Sequence, residues 1–82
     1  MPTVLIVRTV DHEAATPLWA QLAGILRKEI RAGKLPSGRV IPSESTLMQE
    51  HGVARGTVRK AIDVLVAEGL VERVQGRGTF VR

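Results

Sequence analysis

One stretch constrains this chain more than any other: Pro42 to Gly69, PSESTLMQEHGVARGTVRKAIDVLVAEG. Within it Val58, Ala61, Ile62, Leu65 and Val66 recur at spacings of three, four, seven and eight. That spacing predicts a helix with one apolar stripe. Gly69 stands where a left-handed cap would stop it. Its opening, Ala54-Arg55-Gly56-Thr57 and then Arg59-Lys60, is polar, basic and low in bulk. A shorter helix precedes it, with Leu47 and Met48 facing inward and Ser43 or Ser45 as N-cap. A tight turn at Gly52 joins the two. Helix, glycine turn and helix make a helix-turn-helix, whose second helix can enter a major groove. The same pattern also fits an ordinary helical hairpin in a small core, because the motif is loose.

The residues that follow favour the first alternative. Leu70 to Val74 and Thr79 to Arg82 read as two short strands rich in β-formers. Gln75-Gly76-Arg77-Gly78 lies between them as a hairpin tip, since two glycines permit positive φ and close backbone approach. A basic tip with bare backbone suits a phosphate backbone or a minor groove. A helix-turn-helix followed by such a hairpin is a winged helix. The predicted class is therefore α+β, a winged helix-turn-helix. It has a three-helix core, a small antiparallel wing sheet and an extra N-terminal strand.

With these blocks in place, the chain resembles the DNA-binding head of the GntR family of bacterial transcription regulators. The resemblance is carried by PLWAQLAGILRKEIRAGKL, IPSE and GVARGTVRKAIDVLVAEGLVERVQGRGTFV, in that order, from about Pro17 to Val81. TVRKAIDVLVAEGLV and QGRGTFV are most similar to its HutC-type branch. Two departures stand out. The family has a basic residue after Pro-Ser-Glu, where this chain has Ser45. The family also continues into a larger effector-binding domain, whereas this chain stops at Arg82. The resemblance implies that Arg55 stands at a DNA-reading position.

Length and charge set the outer bounds. Eighty-two residues hold one core, and a chain of this size buries only about 60% of its extended surface. The expected division is residues 1–15 as N-terminal strand and connector, and 16–82 as the winged helix-turn-helix. The net charge of +4 favours polyanionic partners. Aromatic residues are confined to Trp19 and Phe80, which argues against base-stacking platforms for single strands. With no cysteine, the chain has neither a disulfide framework nor a thiolate zinc site. No apolar run reaches a membrane span, and Met1 to Val10 makes a poor signal peptide. A cytoplasmic location without membrane contact is expected.

Earlier in the chain, Val4 to Val10 reads as a strand that is apolar on both faces over Val4 to Val7. Such a strand must join the wing sheet or pair with a second copy. Thr16 as N-cap and Pro17 as first residue open a helix. Its stripe is Leu18, Leu22, Ile25, Leu26 and Ile30, and Gly33 ends it. Trp19 is expected in the core or against the N-terminal strand. Lys34 to Arg39 is a loop. Val40 and Ile41 could add one short strand beside the wing.

No catalytic constellation is present. His12 and His51 lack metal-ligand spacing, and His51 at the inter-helix turn is expected in solvent. Glu68, Glu72 and Arg73 are expected as solvated surface. Gly76-Arg77-Gly78 opens no helix and so makes no nucleotide-binding loop. No metal, cofactor or small-molecule effector is expected within this chain.

The candidate DNA-binding residues fall in three groups. On the second helix, Arg55 suits a bidentate contact to guanine. Gly56 permits close approach to the backbone, and Thr57 can meet a phosphate or a thymine methyl. Arg59 lies one turn beyond Arg55, and Lys60 is either a phosphate contact or a solvated charge. At the start of the first helix, Ser43 caps and can hold a phosphate, while Ser45 offers a hydroxyl without charge. On the wing are Gln75, Gly76 and Arg77. The expected activity is sequence-specific binding of double-stranded DNA for transcriptional control. Repression is expected, by a homodimer on a palindrome with half-sites roughly 34–36 Å apart. The alternative is a winged helix that docks an acidic protein.

Overall fold

The computed structural model describes residues 9–82, and the predicted strand over Val4 to Val10 lies almost wholly outside them. Of that stretch only Thr9 and Val10 are described, and Val10 is buried against the core. Three helices follow, α1 (Leu18–Arg31), α2 (Glu44–His51) and α3 (Arg55–Ala67). A hairpin of β1 (Val71–Val74) and β2 (Gly78–Val81) closes the chain. This is the α+β winged helix-turn-helix expected from the sequence.

Helix α1 buries Leu22, Ala23 and Leu26, with Leu18, Ile25 and Ile30 half-covered beside them. Thr16 is not its cap. Pro17 holds the N-cap position without any side-chain capping bond, one residue later than the sequence suggested. The Gln21 amide reaches back instead. It donates to the carbonyls of Asp11 and Thr16 and accepts from the Asp11 N–H, clipping the connector to the helix. Lys34 N–H bonds to Glu29 C=O, and Gly33 N–H to Ile30 C=O, which closes the C-terminus as a Schellman motif.

Helix α2 starts on Ser43, whose Oγ accepts from the Thr46 N–H at 3.1 Å. It stops at Gly52, with φ of 62°, a left-handed value that a side chain would resist. Leu47 is buried and Met48 packs on the core, as the sequence predicted. His51 is not in solvent: it is 6% exposed. It lies four residues after Leu47, on the same helical face, and the chain turns sharply back immediately after it. His12 Nε2 lies 3.0 Å from the His51 carbonyl, a contact that requires the proton on Nε2.

Helix α3 supplies the centre of the core through Val58, Ala61, Ile62 and Leu65, none more than 1% exposed. Val66, predicted on the same stripe, is 37% exposed. It lies at the edge of the stripe, in the last turn. Leu70 N–H to Leu65 C=O and Gly69 N–H to Val66 C=O close the helix as a second Schellman motif.

The hairpin pairs Val71 with Val81 and Val74 with Gly78 in antiparallel register. Val71 and Val81 point into the core. The predicted short third strand is a single bridge, Val40 to Phe80. Hydrogen bonds from Ile41 N–H to Thr79 C=O and from Val81 N–H to Arg39 C=O flank that bridge. It ties the loop before α2 to the wing, so α2 and the hairpin share a support.

Glu68 and Arg73 are exposed, as expected, and each also holds an ion pair that the sequence did not show. Arg27 on α1 makes a two-pronged ion pair with Glu68 after α3, at 2.9 and 2.8 Å. That hydrogen bonding holds the Glu68 carboxyl below its ordinary range and the Arg27 guanidinium above its own. Arg73 on β1 pairs with Asp63 at 2.7 Å and donates to the Arg59 carbonyl at 3.2 Å. Glu72 is exposed, as expected.

Candidate nucleic-acid interface

The core stripe of α3 fixes what its other side presents. With Val58, Ala61, Ile62 and Leu65 turned inward, Arg55, Gly56, Arg59 and Lys60 are exposed. The side chains of Arg55 and Arg59 are 60% and 66% exposed. Thr57 is half-buried. No side chain caps the start of α3, so positive dipole potential is left at the tip of the helix. A Cβ at Gly56 would meet nothing within 4 Å. Internal packing therefore gives no reason for glycine there.

The wing faces the start of α2, where Glu44 lies beside the arginines. An open groove of about 850 Å³ is bounded by Ser43, Glu44 and Thr46 on one wall, by the wing from Arg73 to Thr79 on the other, and by Ile62. Gln75, Gly76 and Arg77 form its exposed rim. Arg77 N–H bonds to Val74 C=O, and Gly76 takes the positive φ of 77° that the turn requires. Ser43 faces this groove while its Oγ caps α2. Ser45 is exposed on the first turn of α2 and is not among the groove residues.

Glu44 connects the two parts, and the sequence did not single it out. Its carboxylate oxygens lie 3.9 Å from Arg55 Nε and 3.9 Å from Arg59 Nε. It is also part of the groove wall. An acid directly after a capping Ser reads as ordinary first-turn chemistry, which hides any second role. Only the approach of α3 shows that it sits between two arginines. At that distance and exposure each pair is weak and open to competition from a phosphate or a base.

Lys60 is the other departure. It is neither a bare solvated charge nor directed at Glu44. Its Nζ lies over the Trp19 ring, 4.5 Å from the centroid. Trp19 is half-buried on α1 and is not in the core cluster; the other position expected for it, against the strand over Val4 to Val10, lies almost wholly outside the described residues. Among the described residues, no group of three or more His, Asp or Glu is placed to hold a metal ion. None of the described helices is long and apolar enough to cross a membrane.

The sequence model for bacterial regulatory proteins of the gntR family matches residues 18–81. The mannosyl-D-glycerate transport/metabolism system repressor MngR of Escherichia coli is 44% identical over 66 residues, covering 80% of this chain and 28% of that protein. The histidine utilization repressor of Pseudomonas putida is 41% identical over 83 residues, or 99% and 34% of the two chains. The chain thus spans about a third or less of these curated relatives. Among solved structures, the AraR DNA-binding domain in complex with operator ORX1 superposes with a TM-score of 0.82 at 41% identity. That match covers 89% of this chain and 92% of the other. YtrA from Sulfolobus acidocaldarius, a GntR-family transcription factor, gives 0.82 at 36% identity, covering 93% and 80%.

Proposed function

The chain belongs to the GntR family of bacterial regulatory proteins and carries the family's winged helix-turn-helix DNA-binding domain; from that premise we propose that it represses transcription as a homodimer on a palindromic operator. Helix α3 enters the major groove, with Arg55 and Arg59 at base edges or the adjacent phosphates. Gly56 lets the helix start approach closely. Ser43 and Arg77, on opposite walls of one groove, hold a backbone strand. The observation that carries this reading is the position of Glu44, which lies 3.9 Å from both Arg55 and Arg59 and also lines the groove that Arg77 rims. Repression is supported by relatives that are repressors, and operator binding by the AraR complex. The proposed location is the cytoplasm, where such an operator would be met.

The test is selection of bound duplexes from a random pool, followed by titration of the selected site and a scrambled one. Arg55→Ala should cost about 1–3 kcal/mol on the selected site and little on the scrambled one. Arg77→Ala should weaken both alike. A two-fold symmetric footprint is expected from the dimer. Failure of the pool to converge would remove the reading, and the acidic-partner alternative would then take its place.

A further inference from the structure

The exposed face of α3 has two flanks, and the chemistry above lies on one of them. Arg55 and Arg59 turn toward Glu44 on α2. Lys60 is five residues after Arg55, about 140° around the helix at 3.6 residues per turn. It meets α1 instead, with its ammonium over the ring of Trp19. Between the flanks lies Gly56, one turn before Lys60, with open space where a Cβ would be. The face is therefore a bare central strip with arginines along one edge and a ring-held lysine along the other.

A major groove is bounded by two phosphate backbones about 12 Å apart, and a helix with side chains is about 10–12 Å across. A helix seated there brings both flanks within reach of phosphates. The wing and the start of α2 serve one strand. We propose, resting on the DNA reading above, that Trp19 and Lys60 form the contact to the opposite strand. Lys60 supplies the charge and Trp19 is its positioning residue. A lysine ammonium on a four-carbon stem loses freedom when it docks. A ring that already holds it lowers that cost. The ring covers one side of the ammonium, which leaves donors free for a phosphate oxygen.

The experiment titrates labelled duplexes with the intact chain across a range of salt. The proteins are wild type, Lys60→Ala, Trp19→Ala, Trp19→Phe and the Trp19→Ala/Lys60→Ala double variant. Lys60→Ala is expected to weaken binding about threefold to tenfold on every sequence and to lower the salt slope by about 0.9. Trp19→Ala should lose a similar factor, and the double variant no more than either single one. Trp19→Phe keeps a ring and should keep most of the affinity, which a lost indole packing contact would not allow. Trp19 is also the one tryptophan of the chain, so its emission should change as duplex saturates wild type. Additive losses, an unchanged slope in Lys60→Ala, or Trp19→Phe no better than Trp19→Ala would each overturn the proposal. If Trp19→Ala does not fold, Lys60→Ala and Lys60→Met decide it through the slope alone. Arg55→Ala separates the two levels. If it loses the selected site while Lys60 variants bind like wild type, only this inference fails. If it too is silent, the DNA reading falls with it.

Discussion

Gly78→Ala tests whether the wing is held by backbone geometry or merely by its strand pairing. Gly78 has φ of 114°, beyond the small left-handed region near +57° that some side chains visit. Forcing alanine there costs about 1–3 kcal/mol. A new Cβ would also stand 3.0 Å from Val40 Cγ2. Val40 is 53% exposed and can turn away, at about 0.5–1 kcal/mol for a poorer rotamer. The sum is about 1.5–4 kcal/mol. An 82-residue chain at about 0.05–0.15 kcal/mol per residue has only about 4–12 in total. With an m-value of about 1 kcal/mol/M, the urea midpoint should fall by about 1.5–4 M. Gly76→Ala is the control. Its φ of 77° lies near the left-handed region, and a Cβ there meets nothing within 4 Å. Its loss should be about 1 kcal/mol. Adding Val40→Ala should recover the contact part in Gly78→Ala and nothing in Gly76→Ala. A Gly78→Ala midpoint within 0.5 M of wild type, about 0.5 kcal/mol at that m-value, would refute the reasoning.

Three further outcomes follow from the charges. Glu44→Gln frees Arg55 and Arg59, so binding to scrambled duplex should tighten while discrimination falls. The gain is at most about fivefold for each freed arginine, the limit for an exposed pair worth about 1 kcal/mol, and paired titrations check it. Ser45→Arg should add a charge on the exposed first turn of α2 and steepen the salt slope by about 0.9 per subunit. Glu68→Gln should lower the melting temperature at neutral pH only. The Glu68 carboxyl is held below its ordinary range by Arg27. Its stabilisation is therefore complete above the unfolded carboxyl's range and is lost as pH falls through the folded one. Melts of the two proteins should converge in acid and also in high salt.

The parts of the fold that the sequence made legible are those set by spacing within one element. Val58, Ala61, Ile62 and Leu65 announce the buried face of α3, and the exposed arginines follow from it by subtraction. Ser43 and Gly52 mark the ends of α2 by chemistry that acts within a single turn. The misplacements have other origins. His51 carries its signal in the four-residue spacing from Leu47, but a polar residue at a turn suggests solvent. Arg27 with Glu68, and Lys60 with Trp19, are 41 residues apart in sequence, and only the packing of α1 on α3 brings them together. Glu44 is hidden more thoroughly, because the sequence already gives it an adequate reason to be at a helix start. The roles of Arg55, Gly56, Thr57, Arg59, Lys60 and the wing tip are not consequences of the fold. Packing places Arg55 and Arg59 beside α2 and Lys60 beside α1.

Arg73 shows why counting cations near the interface overstates the electrostatics. Arg55, Arg59, Lys60, Arg73 and Arg77 all crowd helix and wing in sequence. Arg73, however, is neutralised by Asp63 at 2.7 Å, and its second nitrogen bonds to the Arg59 carbonyl. A helical carbonyl has a second lone pair, so this bond leaves the ladder of α3 intact. Arg73 therefore acts as a brace from β1 to α3, not as a free charge. Four cations then remain for phosphates or bases, which caps the salt slope from this face at about 3.6 per subunit at 0.9 each. Any that spend themselves on a base edge still count in the slope, since they displace counterions too. The brace also fixes the wing relative to the residues it works beside. Less ordering is left to be done on docking, and more of the contact energy appears as affinity.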